Sequence, residues 1–509
     1  MLDLAISPFD AAVVLAYLAG MVLFGVWLGR GQRDVAGYLL GGRNLPWWAV
    51  LLSIVATETS TVTFLSIPGL AFNPDGGNFL FLQLTAGYII GRLVIVFLFL
   101  PSYFRGELFT AYEVLQRRFG GATKQTASLL FLVTRNLSDG LRLFLTAIVL
   151  QQILGLGLSV CIVLVGLSTI VYTFAGGMKS VVWNDCIQFA VYIAGAALAL
   201  VVILAMLGGG WTHFSEFLAN LPHGWNRLAD FAQQHHKFRL LDFSLDPTRP
   251  YTLWSGLLGG TFIALATHGT DQLMVQRYLS ARSQKEAGRA LALSGLVVCG
   301  QFALFLLIGV ALACFYDRFP PQTPFPRGDE VFPAFIVDHL PVGTVGIVVA
   351  AVFAAAMSTL SSSLNASAAA AVNDFYLPWR RGKASAKHLL QMSRGLTIVF
   401  GLVQIGVAVV GQLLQQSVIE SVMTIAGFTT GVVLGVFFLG VCTSGVTQRS
   451  ALGGLVGGLA VMTAVVFGTN LTWPWYALVG SCVTLAIGLT AHALLPGKRC
   501  KRYNARGQG

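Results

Sequence analysis

The 509-residue chain is predicted to be an all-α polytopic membrane protein with about thirteen transmembrane helices. Three observations carry that prediction. Only 10% of the residues are charged, against roughly 25% in an ordinary soluble domain, too few to cover a globular surface. Hydrophobic residues make up 55% of the chain, and its mean hydropathy is +0.74. Apolar runs of the roughly 20 residues that a bilayer crossing needs recur along nearly its whole length.

The first run covers about 10–29. No Lys or Arg precedes it, whereas Arg30, Arg33 and Arg43 follow. A cleavable signal peptide carries the opposite flanks, so a retained helix with its N-terminus outside is expected. Further segments lie near 45–72, 78–104, 123–155, 157–176, 182–208, 251–278, 285–316, 341–376, 390–414, 417–444, 448–468 and 473–495. Counted alternately from an outside N-terminus, 22 of the 32 Lys and Arg fall in inner segments and the tail. Lys and Arg bias of this kind sets orientation, placing the C-terminus in the cytoplasm. The formal charge of +11 therefore records topology and contact with anionic lipid, not nucleic-acid binding. The one long soluble excursion, 209–250, is expected to form a cap of short helices outside, with His235 and His236 a solvated pair. The seven cysteines are scattered, mostly in apolar segments, and read as small packing residues without a disulfide or zinc framework.

Polar interruptions inside the apolar runs point to function. Within 45–72 the stretch Ala56-Thr57-Glu58-Thr59-Ser60-Thr61-Val62-Thr63 is followed by Pro68-Gly69, which is expected to break the helix. A helix opens inside a bilayer only where the freed backbone lines a cavity or binds something. An intramembrane carboxylate such as Glu58 is functional by default. The run Ser358-Thr359-Leu360-Ser361-Ser362-Ser363 follows Ala354-Ala355-Ala356. Residues 355, 358, 359 and 362 share one helical face. Their hydroxyl and carbonyl oxygens suit a hard cation such as Na⁺, or a tight helix seam. A third break is expected at Ala266-Thr267-His268-Gly269-Thr270-Asp271-Gln272, where Thr267 and His268 are candidates for touching substrate. In 123–155, Asp139 is placed to pair with Arg135 or Arg142. The cation left over could face an anionic substrate, face Glu58, or snorkel to water.

With these residues in view, the chain resembles the sodium:solute symporters. The likeness is carried by Gly41-Gly42-Arg43-Asn44-Leu45-Pro46-Trp47-Trp48, by Tyr172-Thr173-Phe174-Ala175-Gly176-Gly177-Met178-Lys179 with Trp183-Asn184-Asp185, by Thr270-Asp271-Gln272 with Val275-Gln276-Arg277, and by the 358–363 hydroxyl run. The resemblance implies a LeuT-like fold of 5+5 inverted repeats. An extra helix and inner loop (1–44) precede repeat one (45–208); the outer loop (209–250), repeat two (251–444), and two helices with a basic tail (445–509) follow. It implies a sodium site from Ala56, Thr59, Ala355, Ser358 and Thr359, and a second ion site from Asp185, Ser361 and Ser362. Glu58, Ser60, Thr63, Arg135, Thr267 and His268 become the substrate-pocket candidates. Relatives with sialic acid as substrate resemble this chain in hydroxyls matching Ser60 and Thr63 and an arginine matching Arg135. Sugar carriers differ at Val62-Thr63 and Thr267-His268. Position 58 is usually Asp or neutral in the family, and Glu58 would oppose an anion unless Arg135 neutralises it.

The expected function is Na⁺-coupled import of a small polar solute, a carboxylate among the candidates, by alternating access in a cytoplasmic membrane. The protein is expected to be no enzyme, to need no cofactor beyond Na⁺ as coupling ion, and to work as a monomer in the lipid bilayer. The alternative is an H⁺-coupled carrier using Glu58 or Asp185. A membrane sensor would need a signalling domain after the last span, where only about fourteen residues are present.

Overall fold

The computed structural model describes residues 6–30, 34–73, 76–106, 108–325, 327–381, 384–412 and 418–494. Arg33, Lys383 and the basic tail 496–509 used in the charge count lie outside them. The described residues are almost entirely helical. The helices are α1 (Pro8–Gly29), α2 (Trp47–Glu58), α3 (Thr61–Phe72), α4 (Leu82–Leu98), α5 (Gly121–Leu154), α6 (Leu158–Gly208) and α7 (Phe214–Gln234). They continue with α8 (Gly260–Gly269), α9 (Gln272–Ser280), α10 (Gln284–Arg318), α11 (Thr344–Ala370), α12 (Ala386–Gly411), α13 (Val418–Cys442), α14 (Gln448–Gly468) and α15 (Tyr476–Leu494).

Seven helices among the described residues are long and apolar enough to cross a membrane, or eight with the bent pair α2–α3 taken as one span. Three more segments fall short for physical reasons. Arg135, Asp139 and Arg142 interrupt α5, polar residues interrupt α8–α9, and α4 is only 17 residues long. At 1.5 Å per residue, the 51 residues of α6 would reach about 77 Å, far beyond the ~30 Å hydrocarbon core. The helix is interrupted at Gly177 (φ +52°, ψ −152°). A Cβ there would lie 2.3 Å from the Tyr38 carbonyl oxygen. Two spans therefore arise from this one stretch, as the hydropathy pattern predicts.

At the centre lies α11, buried along nearly all its length. Its Ala, Ser and Gly residues allow α6, α5, α12 and α1 to approach closely, which is how small residues drive packing where water offers no hydrophobic force. Its N-terminus is capped from another helix. Buried Asp10 of α1 accepts hydrogen bonds from the Gly343 and Gly346 backbone N–H groups at 2.8 and 2.7 Å. A carboxylate there satisfies orphan donors and complements the helix dipole.

Two local expectations are corrected. The first broken helix opens at Thr59–Ser60, not at Pro68-Gly69; Pro68 sits inside α3, which runs on to Phe72. Gly69 serves close packing instead, because a Cβ would lie 2.3 Å from the Gly328 carbonyl oxygen. The 209–250 excursion forms one 21-residue amphipathic helix, α7, rather than several short ones. The Glu216 carboxyl accepts hydrogen bonds from the Thr212 backbone and hydroxyl, which hold it below the usual carboxylate range. After α7, Lys237 reaches the C-terminal end of α3 and donates to the carbonyls of Ala71, Phe72 and Asn73 at 3.4, 3.4 and 2.8 Å. Burial draws its ammonium below the ordinary lysine value.

Gly177→Ala is expected to lower the thermal melting temperature of the purified protein sharply. This positive-φ, extended-ψ backbone is essentially open only to glycine and costs another residue about 1–3 kcal/mol, before the clash with Tyr38. A melting curve matching the parent would contradict this account of the turn.

Candidate functional site

Where the first broken helix opens, Thr59 (φ −88°, ψ 100°) and Ser60 (φ −91°, ψ 169°) are extended, and α3 leaves α2 at 64°. Opening a helix frees carbonyls that must find partners. Helix α11 supplies them. Ser358 Oγ donates to the Ala56 carbonyl at 2.7 Å, and Thr359 Oγ1 donates to the Thr57 carbonyl at 3.1 Å. Both hydroxyls also lie 3.4–3.5 Å from the Ala355 carbonyl. Five buried oxygens thus converge between α2 and α11 with no charged side chain in the set. That donor chemistry suits a hard monovalent cation.

Four of the five sequence candidates for the sodium site (Ala56, Ala355, Ser358, Thr359) meet here, joined by Thr57, which sequence reasoning did not single out. Thr59 is a candidate through its carbonyl; its hydroxyl is engaged away from this cluster. It donates to the Val55 carbonyl and accepts from Gln301 Nε2 at 2.6 Å, with the Tyr192 hydroxyl at 3.3 Å. The second broken helix opens at Thr270–Asp271, between α8 and α9. Asp271 caps α9, accepting from the Leu273 backbone N–H at 2.8 Å.

The candidates for the second ion site are gathered around a guanidinium. Arg277, fully buried in α9, pairs with Asp185 Oδ2 at 3.1 Å and donates to the Ser53, Thr57 and Ser362 hydroxyls. Ser53 also donates to Asp185 at 2.5 Å. Ser361 donates to the Ser358 carbonyl at 3.2 Å. The 22 inner cations counted from the sequence include Arg277 and Lys124. The run after Asp271 stays helical and carries Arg277 into the core, where Asp185 balances its charge. Lys124, counted in another inner loop, is likewise buried and lies 3.6 Å from Asp374.

The substrate-pocket candidates form a charged cluster. Glu58 pairs with Arg92 of α4, not with Arg135. The same Arg92 Nη2 lies 3.1 Å from His268 Nε2, which is 3.4 Å from Glu58 Oε2. Thr267 hydrogen bonds His268 Nδ1 at 2.9 Å. Arg135 contacts Asp139 at 2.6 Å and reaches Asp271 across the second break at 3.8 Å, while Arg142 contacts Asp139 at 2.9 Å. The cation left over within α5 is therefore matched by Asp271. Ser60 caps α3 through Thr63, whose backbone N–H donates to it at 3.4 Å. Nearer the end that carries α7, a small cleft runs between α3 and α5, lined by Thr61, Ser66, Ile148, Arg327 and Glu330. Arg92 lies inside the predicted 78–104 span, with no carboxylate at helical spacing to mark it. The one local signal for it is Gly87 and Gly91 before it, a small-residue face on which α8 packs closely.

Two broken helices, with a carbonyl–hydroxyl cluster at the first and paired charges between them, define a secondary active carrier of the broken-helix class. The sodium:solute symporter family profile matches residues 38–458. The chain is 31% identical to the human sodium/iodide cotransporter, over 98% of this chain and 78% of that one. It is 30% identical to a sodium/sialic acid symporter of Proteus mirabilis, over 96% of both chains. The solved structure of a substrate-bound, outward-open Na⁺-coupled sialic acid symporter superposes with a TM-score of 0.87 at 27% identity, covering 97% of this chain and 99% of that one. The chain belongs to the sodium:solute symporter family. It is a multi-pass membrane carrier with the LeuT-like inverted-repeat fold, a Na⁺-coupled symporter and not an enzyme.

Arg92→Met is expected to destabilise the folded protein by about 3–5 kcal/mol, because it strands a buried carboxylate. Adding Glu58→Gln should recover most of the loss in melting temperature. Failure of the second change to rescue the first would show that Glu58 is not the group Arg92 serves.

Proposed function

We propose that one Na⁺ binds among the Ala56, Thr59 and Ala355 carbonyls and the Ser358 and Thr359 hydroxyls, and that this ion drives import of a small carboxylate by alternating access. The carrying observation is the pair of hydrogen bonds from Ser358 and Thr359 to the opened end of α2. A cation entering there takes over the oxygens that these hydroxyls now hold, so it ties α2 to α11 by coordination. Only differential affinity for two conformations lets an ion bias their equilibrium. A site split between two helices has that property, since it loosens when they separate.

Charge bookkeeping supports a carboxylate. Glu58, Asp139 and Asp271 are matched by Arg92, Arg135 and Arg142. One Na⁺ leaves unit positive charge, which a monoanion restores to zero. Arg135 and Arg142 keep 13% and 23% of their side chains exposed, so a carboxylate can reach them. The sialic acid specificity of one relative points the same way. Glu58 and Asp185 each already hold a buried arginine, which leaves the H⁺-coupled alternative without an unmatched carboxylate at either position. Asp185, Ser361 and Ser362 remain the proposed second ion site, reached only when Arg277 gives way. We further assign the repeats to 45–208 and 251–444, flanked by 1–44, the outer loop 209–250 and the C-terminal 445–509. The carrier sits as a monomer in a bacterial-type cytoplasmic membrane, N-terminus outside and C-terminus inside.

In proteoliposomes, Ser358→Ala with Thr359→Ala should raise the Na⁺ concentration for half-maximal uptake at least about tenfold, since each hydroxyl contact to a charge is worth roughly 1.5–3 kcal/mol. Unchanged Na⁺ dependence sinks the site. Arg135→Gln should weaken uptake of a carboxylate solute by about tenfold to a hundredfold on the same scale while sparing Na⁺ binding. Equal uptake by parent and variant would remove Arg135 from the pocket.

A further inference from the structure

The hydrogen bonds around His268 determine its tautomer. Arg92 can only donate, so His268 Nε2, 3.1 Å from Arg92 Nη2, must accept. The ring proton then sits on Nδ1 and is donated to Thr267 Oγ1 at 2.9 Å. The Thr267 hydroxyl passes its own hydrogen to the Ile263 carbonyl at 2.8 Å. Every donor in this chain has an acceptor while His268 is neutral. A second ring proton, on Nε2, would point at the Arg92 N–H. The acceptor facing it is Glu58 Oε2, 3.4 Å away and now bonded to Arg92.

We propose that His268 is a proton-operated positioning residue: protonation at Nε2 transfers Glu58 from Arg92 to His268 and weakens Na⁺ binding at the adjacent helix break. Glu58 is the last residue of α2, the helix whose opened end presents the Ala56 and Thr57 carbonyls. Moving its carboxylate re-aims that end. The added positive charge also sits against Glu58, the last residue of the helix that presents the site, and like charge opposes the ion. Both effects have one sign, so acid lowers Na⁺ affinity. For an anionic solute the same charge is attractive, so substrate affinity at saturating Na⁺ does not fall with it.

The charged groups facing His268 are Arg92 from α4, Glu58 from α2 and Asp271 from its own broken helix. The Tyr88 and Tyr278 hydroxyls lie within electrostatic reach of Glu58 and Arg92. Helices α13 and α15 also pack on α8, and α15 carries no carboxylate, ammonium or guanidinium. The guanidinium Nε and Nη1 of Arg92 lack hydrogen-bond partners, so Arg92 gives up its one carboxylate when Glu58 leaves, a cost that the new His268–Glu58 pair has to offset.

This proposal rests on the Na⁺-symport reading, and ²²Na⁺ binding to the purified full-length protein separates the two. The half-saturating Na⁺ concentration should rise about tenfold between pH 7.5 and 4.5, since the imidazolium has to form buried and beside the Arg92 guanidinium. In His268→Gln, whose amide oxygen still accepts from Arg92, it should stay within about twofold over the same range. If the glutamine variant does not fold, His268→Met, which cannot titrate, serves the same comparison. A variant that keeps the parent's acid-induced rise overturns the assignment to His268. Parental binding that ignores pH overturns the switch and leaves the symport reading intact. No Na⁺ binding at any pH overturns both.

Discussion

The structure depends on one constraint: backbone groups freed by opening a helix inside a bilayer have no water to turn to. At the first break that debt is met by Ser358 and Thr359 on α11, whose hydroxyls hold the Ala56 and Thr57 carbonyls. Hydroxyls are suited to this place because each can donate to a carbonyl or, turned round, offer a lone pair to a cation. The same atoms close the break in this structure and would offer their lone pairs to the proposed ion. An alanine pair at 358 and 359 would leave the carbonyls orphaned, and a carboxylate would hold the cation too firmly to release it.

Charges inside the protein obey a parallel rule. Glu58 with Arg92, Asp185 with Arg277, and Asp139 and Asp271 with Arg135 and Arg142 bring opposite charges within 4 Å of each other. Buried ion pairs contribute little net stability, but losing one partner is costly. Most of these pairs join residues far apart in the chain, so they hold the broken helices in register against α4, α5 and α6. A pocket that is neutral when empty changes its charge by whole units as ions and solute enter. That is an electrostatic basis for coupling the two.

Much of this was legible in the chain. The spans could be read because a bilayer demands long apolar runs, and the breaks because the polar stretches around Glu58 and Asp271 interrupt them. The pairings inside one helix, Arg135–Asp139–Arg142, follow from three- and four-residue spacing. Partners across helices left no such trace. Glu58 is matched by Arg92, 34 residues on, and Asp185 by Arg277, 92 residues on. Pro68 misled for a related reason: a proline breaks a helix only where the surroundings do not carry the chain through, and here α3 continues past it against α10 and the Gly328 backbone.

By itself, then, the sequence determined that the chain is a many-helix membrane protein and where its helices cannot stay continuous, because hydropathy and helical periodicity are local properties. Its motifs also determined the family. The tertiary structure decided which charge answers which, that Arg277 is a core residue rather than a loop cation, and that the Thr57 carbonyl joins the oxygens gathered at the first break. Those are facts about distance between remote segments. Electrostatic and hydrogen-bond energies fall off over a few ångströms, so only the packed arrangement of helices can assign them.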